Sequence, residues 1–385
     1  MLSYLSLFLL IFDLAIPPVK FIGSAPFSIL ISLGVLISGR KNIGNYSEIK
    51  SFFLPFYIFY FTLLFYITSR VLFSGEINYL LSTLKSLVIF SASVIYIYTF
   101  GCQQINDKLI NVFFINGVIC LIAGSIPAAL DLVYFFKINV IEIEHIPYRN
   151  AFLAGSGYFG MASAYSLIIL LSAHKLVKDG VSFCFIIKFM VILIAGILAG
   201  RTAFIAILIS CLYIASKSVK YSILATSIII LIIGIVLSVD MLSVYSKWMF
   251  EFVSINNGSI SLSSTTSTDV LQRMYFMPTN DLTWVWGDGR YVDGDGYYMN
   301  TDAGYMRNLF FGGLPFALLI IAYAFLFAIK SKDNFFLFFM FPLLLALHYK
   351  GVFILNNPAG IAILALLAYW FHNEQMTRKN LPDIN

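Results

Sequence analysis

Six arginines and one aspartate lie at positions in this sequence where their side chains could bind a ligand or take part in a reaction. In the topology derived below, these arginines lie on or near the outer side, against the bias that keeps basic residues inside. They are Arg70, Arg149, Arg201, Arg273, Arg290 and Arg307. The planar arginine fork stays charged and can bind phosphate through two hydrogen bonds. We therefore expect an anionic, phosphate-bearing ligand on the outer face, although for Arg70 snorkelling to lipid headgroups is an equal alternative.

Two of these arginines fall in defined local patterns. Arg201 lies at the tip of a predicted hairpin whose return arm, 203–216, is too short to cross a bilayer fully. The turn should therefore lie near the depth of headgroup phosphates, and Gly196 and Gly200 should let a neighbouring helix approach closely. The alternative is that Arg201 caps a tight turn. Arg273 follows Asp269 in a segment with helical spacing, which would aim its side chain along one face.

Asp302 precedes a long apolar segment. A carboxylate at this point could accept a proton from a hydroxyl group. Thr301 or Asp302 is also well placed as the N-cap of the following helix, and capping alone would explain Asp302. Arg307 lies within the same segment, so Asp302 and Arg307 should flank the mouth of that span.

The composition predicts an all-α polytopic membrane protein. Hydrophobic residues make up 60% of the chain, charged residues 11%, and the mean hydropathy is +0.90, whereas soluble proteins contain about 25% charged residues. Apolar windows long enough for about twelve transmembrane helices lie at 2–16, 21–38, 51–73, 79–100, 109–130, 156–174, 183–199, 203–216, 221–239, 304–329, 335–349 and 357–371. The first window lacks the features of a cleaved signal peptide, so we expect a retained helix.

The distribution of lysines places both termini in the cytoplasm. It also explains the net charge of +5 without a nucleic-acid partner, because the basic residues lie between spans. We expect residues 1–239 to hold helices one to nine with an outer loop at 131–155. Residues 240–303 should form one large outer loop, between the ninth and tenth spans, that carries the chemistry. Residues 304–385 should hold the last three helices and a cytoplasmic tail.

We expect no metal or cofactor site. His145 lies near Glu142 and Glu144, but no second histidine lies nearby. The glycine- and aspartate-rich turns at 287–289 and 293–296 lack the spacing of a calcium-binding EF-hand loop, so they are interpreted as solvated turns. The cysteines fall in or beside apolar segments and suggest no disulfide framework.

Several short motifs, taken with the twelve spans and the large late loop, resemble the bacterial O-antigen polymerases. These enzymes share a superfamily of membrane glycosyltransferases with the O-antigen ligases. The motifs are Ala-Gly-Arg-Thr-Ala at 199–203, Gln272-Arg273, Trp286-Gly-Asp-Gly, Thr301-Asp-Ala-Gly-Tyr and Arg307-Asn-Leu-Phe-Phe-Gly-Gly-Leu. The resemblance implies an enzyme of the bacterial inner membrane with a periplasmic loop. It would move a growing glycan from undecaprenyl pyrophosphate to a sugar hydroxyl of an incoming lipid-linked repeat unit.

The resemblance also implies roles for individual residues. Arg201 and Arg273 would hold the pyrophosphate without a metal, and Asp302 would be the candidate base. Independently of the resemblance, the outer-side positions of Arg149, Arg290 and Arg307 predict contacts with an anionic substrate. Tyr297, Tyr298 and Tyr305 offer faces for sugar rings, although aromatic residues at a membrane interface need no ligand to explain them. A chain-length regulator and a flippase are the implied protein partners. The ligases carry a His-Asn pair where this chain has Asp302-Ala303, which favours a polymerase over a ligase that transfers glycan to lipid A core. A flippase of lipid-linked sugars is the alternative from another class, but the spans contain little central charge.

Overall fold

The computed structural model describes most of the chain, and most of the described residues lie in helices. The described residues are 1–17, 20, 22–39, 46–137, 147–238, 251, 253–256, 259–262, 266–294 and 296–379. The first helices are α1 (Leu2–Phe12), α2 (Ala25–Ile37), α3 (Tyr46–Ser74), α4 (Asn78–Phe100), α5 (Ile105–Ser125), α6 (Pro127–Tyr134), α7 (Tyr158–Asp179), α8 (Phe183–Ala199), α9 (Ala203–Lys217) and α10 (Val219–Ser238). A 3₁₀ turn at Pro147–Asn150 precedes α7.

The long loop after α10 contains only short elements in its described parts. These are the antiparallel ribbon β1 (Val253–Asn256) and β2 (Ser259–Leu262), the helices α11 (Thr266–Arg273) and α12 (Asp281–Trp286), and a second ribbon of β3 (Val292–Asp293) and β4 (Gly296–Tyr297). The chain continues with α13 (Gly304–Ser331), a π-helical turn at Phe336–Met340, α14 (Phe341–Lys350) and α15 (Pro358–Lys379).

The helices agree with the predicted membrane class. Each of the predicted windows overlaps a helix. Within the described residues, five helices, α3, α4, α5, α7 and α13, are long and apolar enough to cross a membrane. Shorter apolar helices include α1, α2, α8, α9 and the segment 336–350. The number of twelve crossings stays a prediction. The first helix ends earlier than its window, because Asp13 adopts a left-handed conformation and its carboxylate accepts a hydrogen bond from the Ser24 N–H.

The main core is built around α15. This helix packs against α1, α4, α5, α7 and α13, and its side chains from Ile361 to Phe371 are buried. The close approach predicted at the α8–α9 turn is confirmed, and the neighbour is α7. A Cβ atom on Gly196 would lie 2.9 Å from Ile169 Cδ1, and one on Gly200 would lie 3.0 Å from Ala162 Cβ. These glycines therefore bring the turn with Arg201 against the core.

The tenth predicted span is interrupted near its beginning. Gly312 and Gly313 leave helical geometry inside α13, and Gly313 has a φ of 71°. The end of α12 packs into this break, where a Cβ atom on Gly313 would lie 2.5 Å from the Val285 carbonyl oxygen. A Cβ atom on Gly287 would lie equally close, 2.5 Å from the Gly312 nitrogen. Only glycine tolerates both the left-handed backbone and this contact.

The break in α13 also provides acceptors for the glycine-rich turn at 287–289. The Asp288 N–H donates to the Phe310 carbonyl (2.6 Å), and the Gly289 N–H donates to the Phe311 carbonyl (3.0 Å). The prediction of a solvated turn here was wrong, because the turn completes the hydrogen bonds that the interrupted helix leaves open. The turn is thus part of the fold.

The end of α3 and the connection between α3 and α4 also form hydrogen bonds with this loop. Arg70 donates from Nη2 to the Gly287 carbonyl (2.8 Å). The Glu76 carboxylate accepts from the backbone N–H groups of Tyr291 (2.6 Å) and Val292 (3.3 Å). Arg70, for which two interpretations were open, therefore binds the loop backbone.

Substitution of Gly313 tests the docking of the loop. Gly313→Ala should lower the thermal unfolding midpoint of the detergent-solubilised protein, because it combines backbone strain with overpacking that costs about 1–3 kcal/mol. Tryptophan fluorescence provides the measurement, since Trp284 and Trp286 lie in α12. Gly34→Ala is the matched control, because a Cβ atom on Gly34 in α2 meets nothing within 4 Å. Equal midpoints for the two variants would contradict the docking.

Candidate functional site

Two adjoining cavities lie at the end of the bundle where the long loop packs. The larger cavity, of about 430 Å³, lies between the beginning of α9, α11 and the end of α14. Its lining residues are Arg201, Thr202, Phe204, Ile205, Ser267, Thr268, Leu271, Ala346, Tyr349 and Lys350. The smaller cavity, of about 280 Å³, is lined by Ser267, Val270, Leu271, Met274, Asp302 and Lys350. The cavities therefore share a wall made by Ser267, Leu271 and Lys350.

A third cavity of similar size differs in its chemistry. It has a volume of about 430 Å³ and lies against α2 and α4. Its lining is mostly apolar, and the charged residue in it, Lys85, forms an ion pair with the buried Asp13 at 2.6 Å. Lys85 is the charged residue in this lining, whereas the two adjoining cavities bring together Arg201, Lys350 and Asp302, so we place the candidate site there.

Lys350 is the functional candidate that the sequence analysis missed. It is the last residue of α14, and its ammonium group donates to Ser267 Oγ at 3.2 Å. The charges of Asp302, Arg201 and Arg149 all act on this group. A signal was present in the sequence, because Lys350 follows a span that the predicted topology brings to the outer side. Topological bias singles out Lys350 in the same way as the outer-side arginines.

Arg201 lines the larger cavity, as expected for an anion-binding residue. Its Nη1 lies 2.7 Å from the Glu251 carboxylate, and the two side chains are 20% and 32% exposed. The position therefore already binds one anionic oxygen in the ligand-free protein. Arg149, in the 3₁₀ turn before α7, lies over the Tyr158 ring at 4.8 Å and near enough to Lys350 to influence its charge. Three cations thus surround one region.

Asp302 does not cap the helix that follows it. The N-cap of α13 is Ala303, without a side-chain cap, and the Thr301 hydroxyl accepts the hydrogen bond from the Ala303 N–H (3.3 Å). The Asp302 carboxylate instead lines the smaller cavity, 3.8 Å from Arg307 Nη1, with 44% of its side chain exposed. Burial raises the pKa of this carboxyl above its usual range, while the charges of Arg307 and Lys350 act in the opposite direction.

Contacts between α11, α13 and α14 fix Asp302 beside Lys350. The Thr301 hydroxyl donates to the Met274 carbonyl (3.1 Å), just after α11. The Tyr275 hydroxyl donates to the Tyr349 carbonyl (2.6 Å), and the two rings stack at 4.4 Å. A Cβ atom on Gly304 would lie 2.1 Å from the His348 carbonyl oxygen, so only glycine lets α13 begin this close to α14.

Arg307 has a positioning role in the ligand-free protein. Its guanidinium lies 3.7 Å from the Tyr291 ring centre and 4.1 Å from the Tyr297 ring centre, and Nη2 donates to the Tyr291 carbonyl (3.3 Å). Arg307 is buried and lines neither of the two cavities. It therefore joins the ribbon of the loop to α13 and places a positive charge near Asp302.

The other residues expected to bind substrate lie outside both cavities. Arg273 and Arg290 are exposed. The α11 residues that line the cavities are Ser267, Thr268, Val270, Leu271 and, just beyond the helix, Met274. The Tyr298 hydroxyl donates to Asp288 Oδ2 (3.2 Å), and the Tyr305 hydroxyl donates to the Leu345 carbonyl (3.0 Å). Glu142, Glu144 and His145 lie outside the described residues.

The arrangement combines cations that bind anions with a carboxylate that can take up a proton. The raised pKa makes Asp302 a better proton acceptor near neutral pH than an ordinary carboxylate. Arg201 and Lys350 can stabilise negative charge that develops on a bound group. Among the described residues, no group of three or more His, Cys, Asp or Glu side chains is arranged to hold a metal ion.

Conservative substitution of Arg307 tests its positioning role. An ammonium group cannot stack between two rings and donate to the Tyr291 carbonyl as the planar fork does. Arg307→Lys should therefore destabilise the protein by about 2 kcal/mol, the upper range for a desolvated cation–π contact. Thermal unfolding in detergent measures the loss, with Arg290→Lys as the control because Arg290 is exposed in the same loop. Identical unfolding of both variants would refute this role.

Comparison of the chain with family models, with curated proteins and with solved structures returns no match. The resemblance described from the short motifs therefore remains an expectation, and the function has to be argued from the chemistry of the two cavities. That chemistry comprises a carboxylate with a raised pKa and neighbouring cations in a bundle of apolar helices.

Proposed function

We propose that this chain is an O-antigen polymerase, a membrane glycosyltransferase that joins lipid-linked oligosaccharide repeat units. One observation carries the proposal. The carboxylate of Asp302 and the cations of Arg201 and Lys350 line two adjoining cavities at one end of an apolar helix bundle. A lipid pyrophosphate requires a cationic site beside a membrane, and transfer to a hydroxyl group benefits from a base. The sequence motifs named above support the same assignment.

The proposed reaction transfers a glycan between two oxygens. The hydroxyl oxygen of the incoming repeat unit forms a bond to the anomeric carbon of the growing glycan. The bond from that carbon to the pyrophosphate oxygen breaks, and its electron pair stays on the departing undecaprenyl pyrophosphate. Asp302 accepts the proton of the attacking hydroxyl group. Arg201 and Lys350 stabilise the charge on the leaving group, and apolar neighbours such as Phe204 strengthen this effect.

The proposal includes a cellular setting. The chain would lie in the bacterial inner membrane with both termini in the cytoplasm and with the cavities on the periplasmic side. A flippase would deliver the lipid-linked repeat units, and a chain-length regulator would act on the product. An assay in proteoliposomes with lipid-linked repeat units separates the alternatives. A polymerase yields a ladder of glycans, a ligase transfers glycan to lipid A core only, and a flippase moves the lipid unchanged.

Substitution of Asp302 tests the base. Asp302→Asn removes the proton acceptor and should slow ladder formation by about 10²–10⁴-fold. Wild-type activity should fall as the pH decreases through a raised carboxyl pKa, because the protonated form cannot accept a proton. Since folding raises the pKa of Asp302, the negative charge of this carboxylate disfavours the folded state at neutral pH. The Asn variant, which lacks this charge, should therefore be at least as stable as the wild type. Near-normal activity of Asp302→Asn would show that Asp302 is not the base.

Substitution of Arg201 tests the anion site. Arg201→Lys keeps the charge but loses the planar fork, and we expect ladder formation to fall by about 10²-fold, the effect of removing one stabilising donor. Arg378→Lys is the control, since Arg378 is 56% exposed near the end of α15. Arg273→Lys tests the second arginine that the resemblance implies. Wild-type ladders from Arg201→Lys at native abundance would rule out a requirement for the Arg201 fork.

A further inference from the structure

Lys350 lies on the boundary between the two cavities. Lys350 contributes to the lining of both, and its ammonium group donates a hydrogen bond to Ser267 Oγ, a second residue of the wall that they share. Lys350 is the charged residue among the three that line both cavities. A flexible lysine at such a boundary can move between two acceptors by rotation of its side chain, without a change in the backbone.

The cavities on the two sides of Lys350 differ in charge. The larger contains Arg201 and the smaller contains Asp302. A pyrophosphate is attracted to the larger cavity, whereas the carboxylate in the smaller cavity repels it. A sugar hydroxyl group is favoured in the smaller cavity, because a carboxylate accepts its hydrogen bond. The two substrates of a glycan transfer would therefore be sorted by charge.

The walls of the cavities differ as well. Phe204 and Ile205 from α9 and Ala346 from α14 line the larger cavity, and both helices belong to apolar segments of the bundle. The loop residues Ser267 and Leu271 line both cavities, but the smaller cavity has no lining residue from α9 and is bounded mainly by the long loop, which adds Val270, Met274 and Asp302. A ligand attached to a membrane lipid would thus enter between bundle helices, and a sugar chain would approach from the loop side.

We propose that Lys350 divides the site into a donor compartment and an acceptor compartment, and that its ammonium group binds the pyrophosphate of the donor. The donor compartment is the cavity with Arg201, and the acceptor compartment is the cavity with Asp302. This inference rests on the proposed function. A pyrophosphate oxygen accepts a stronger hydrogen bond than the Ser267 hydroxyl. Donor binding would therefore draw Lys350 from Ser267 and open the shared wall, so that the acceptor hydroxyl group reaches the anomeric carbon.

Two bulky substitutions test the division. Val270 lines only the acceptor compartment, and Ala346 lines only the donor compartment. The assay varies separately a lipid-pyrophosphate donor whose acceptor hydroxyl is methylated and a lipid-free repeat unit as the acceptor. Val270→Trp should raise KM for the acceptor by about tenfold and leave KM for the donor unchanged, and Ala346→Trp should do the reverse. If both variants raise the same KM, there is no division.

Binding of undecaprenyl pyrophosphate without a glycan tests Lys350 directly. Native mass spectrometry of the detergent-solubilised protein should show Lys350→Gln binding this lipid about tenfold more weakly than the wild type, because one charge-assisted contact is lost. Val270→Trp should bind it normally. Lys332→Gln is the control, since Lys332 is exposed just after α13, away from both cavities. Wild-type affinity in Lys350→Gln would overturn the inference.

The polymerase activity and the role of Lys350 are tested by different results. Wild-type protein that forms no glycan ladder overturns the proposed polymerase, and the lipid-binding measurement still decides whether Lys350 binds a pyrophosphate. Wild-type protein that forms ladders, together with normal lipid binding by Lys350→Gln, keeps the polymerase and removes the role of Lys350. Each result therefore supports or contradicts one named claim.

Discussion

The break in α13 at Gly312 and Gly313 is the feature on which the arrangement of the site depends. An uninterrupted helix would use its own carbonyls and leave no acceptors for the loop. Because the helix is broken, the turn at 287–289 binds the carbonyls of Phe310 and Phe311. The Tyr66 hydroxyl group in α3 donates a hydrogen bond to the Gly312 carbonyl (2.6 Å). The polar loop is thus tied to an apolar bundle through backbone hydrogen bonds, which remain strong where water is scarce.

A small second core extends this attachment to the candidate site. Ala303, Met306, Leu309 and Phe310 from the beginning of α13 form a separate cluster, and Leu271 and Met274 from the α11 segment pack against it. The same segments supply the walls of the smaller cavity. Apolar packing on one side of the Thr301–Ala303 segment therefore holds Asp302 at the cavity on the other side. A site that needs a fixed carboxylate gains from being supported by packed elements rather than by a free loop.

The charges around Lys350 are mostly positive in the ligand-free state. The charges of Arg149 and Arg201 both act on Lys350, and like charges in partly buried surroundings repel. Glu251 compensates Arg201 in part. An arrangement of this kind favours an anionic ligand, because the ligand replaces the carboxylate and relieves the remaining repulsion.

Sequence reasoning predicted the features that depend on local pattern. Hydropathy located the helices, and the Gly196–Gly200 spacing together with topological bias singled out the turn with Arg201. It did not find features that depend on contacts between distant segments. A continuous span is predicted across Gly312 and Gly313, because both residues lie inside one long apolar window. The stacking of Arg307 between two tyrosines and the position of Lys350 at a shared wall become visible only when the loop is folded onto the bundle.

The most direct test of the central claim is a structure of the Asp302→Asn protein with a lipid-pyrophosphate-linked repeat unit bound. The substitution slows turnover in this account, so that the donor can be captured intact. We expect the pyrophosphate to lie between Arg201 and Lys350 in the larger cavity, with the anomeric carbon directed towards residue 302. A donor bound elsewhere, for example in the apolar cavity beside Lys85, would contradict the account.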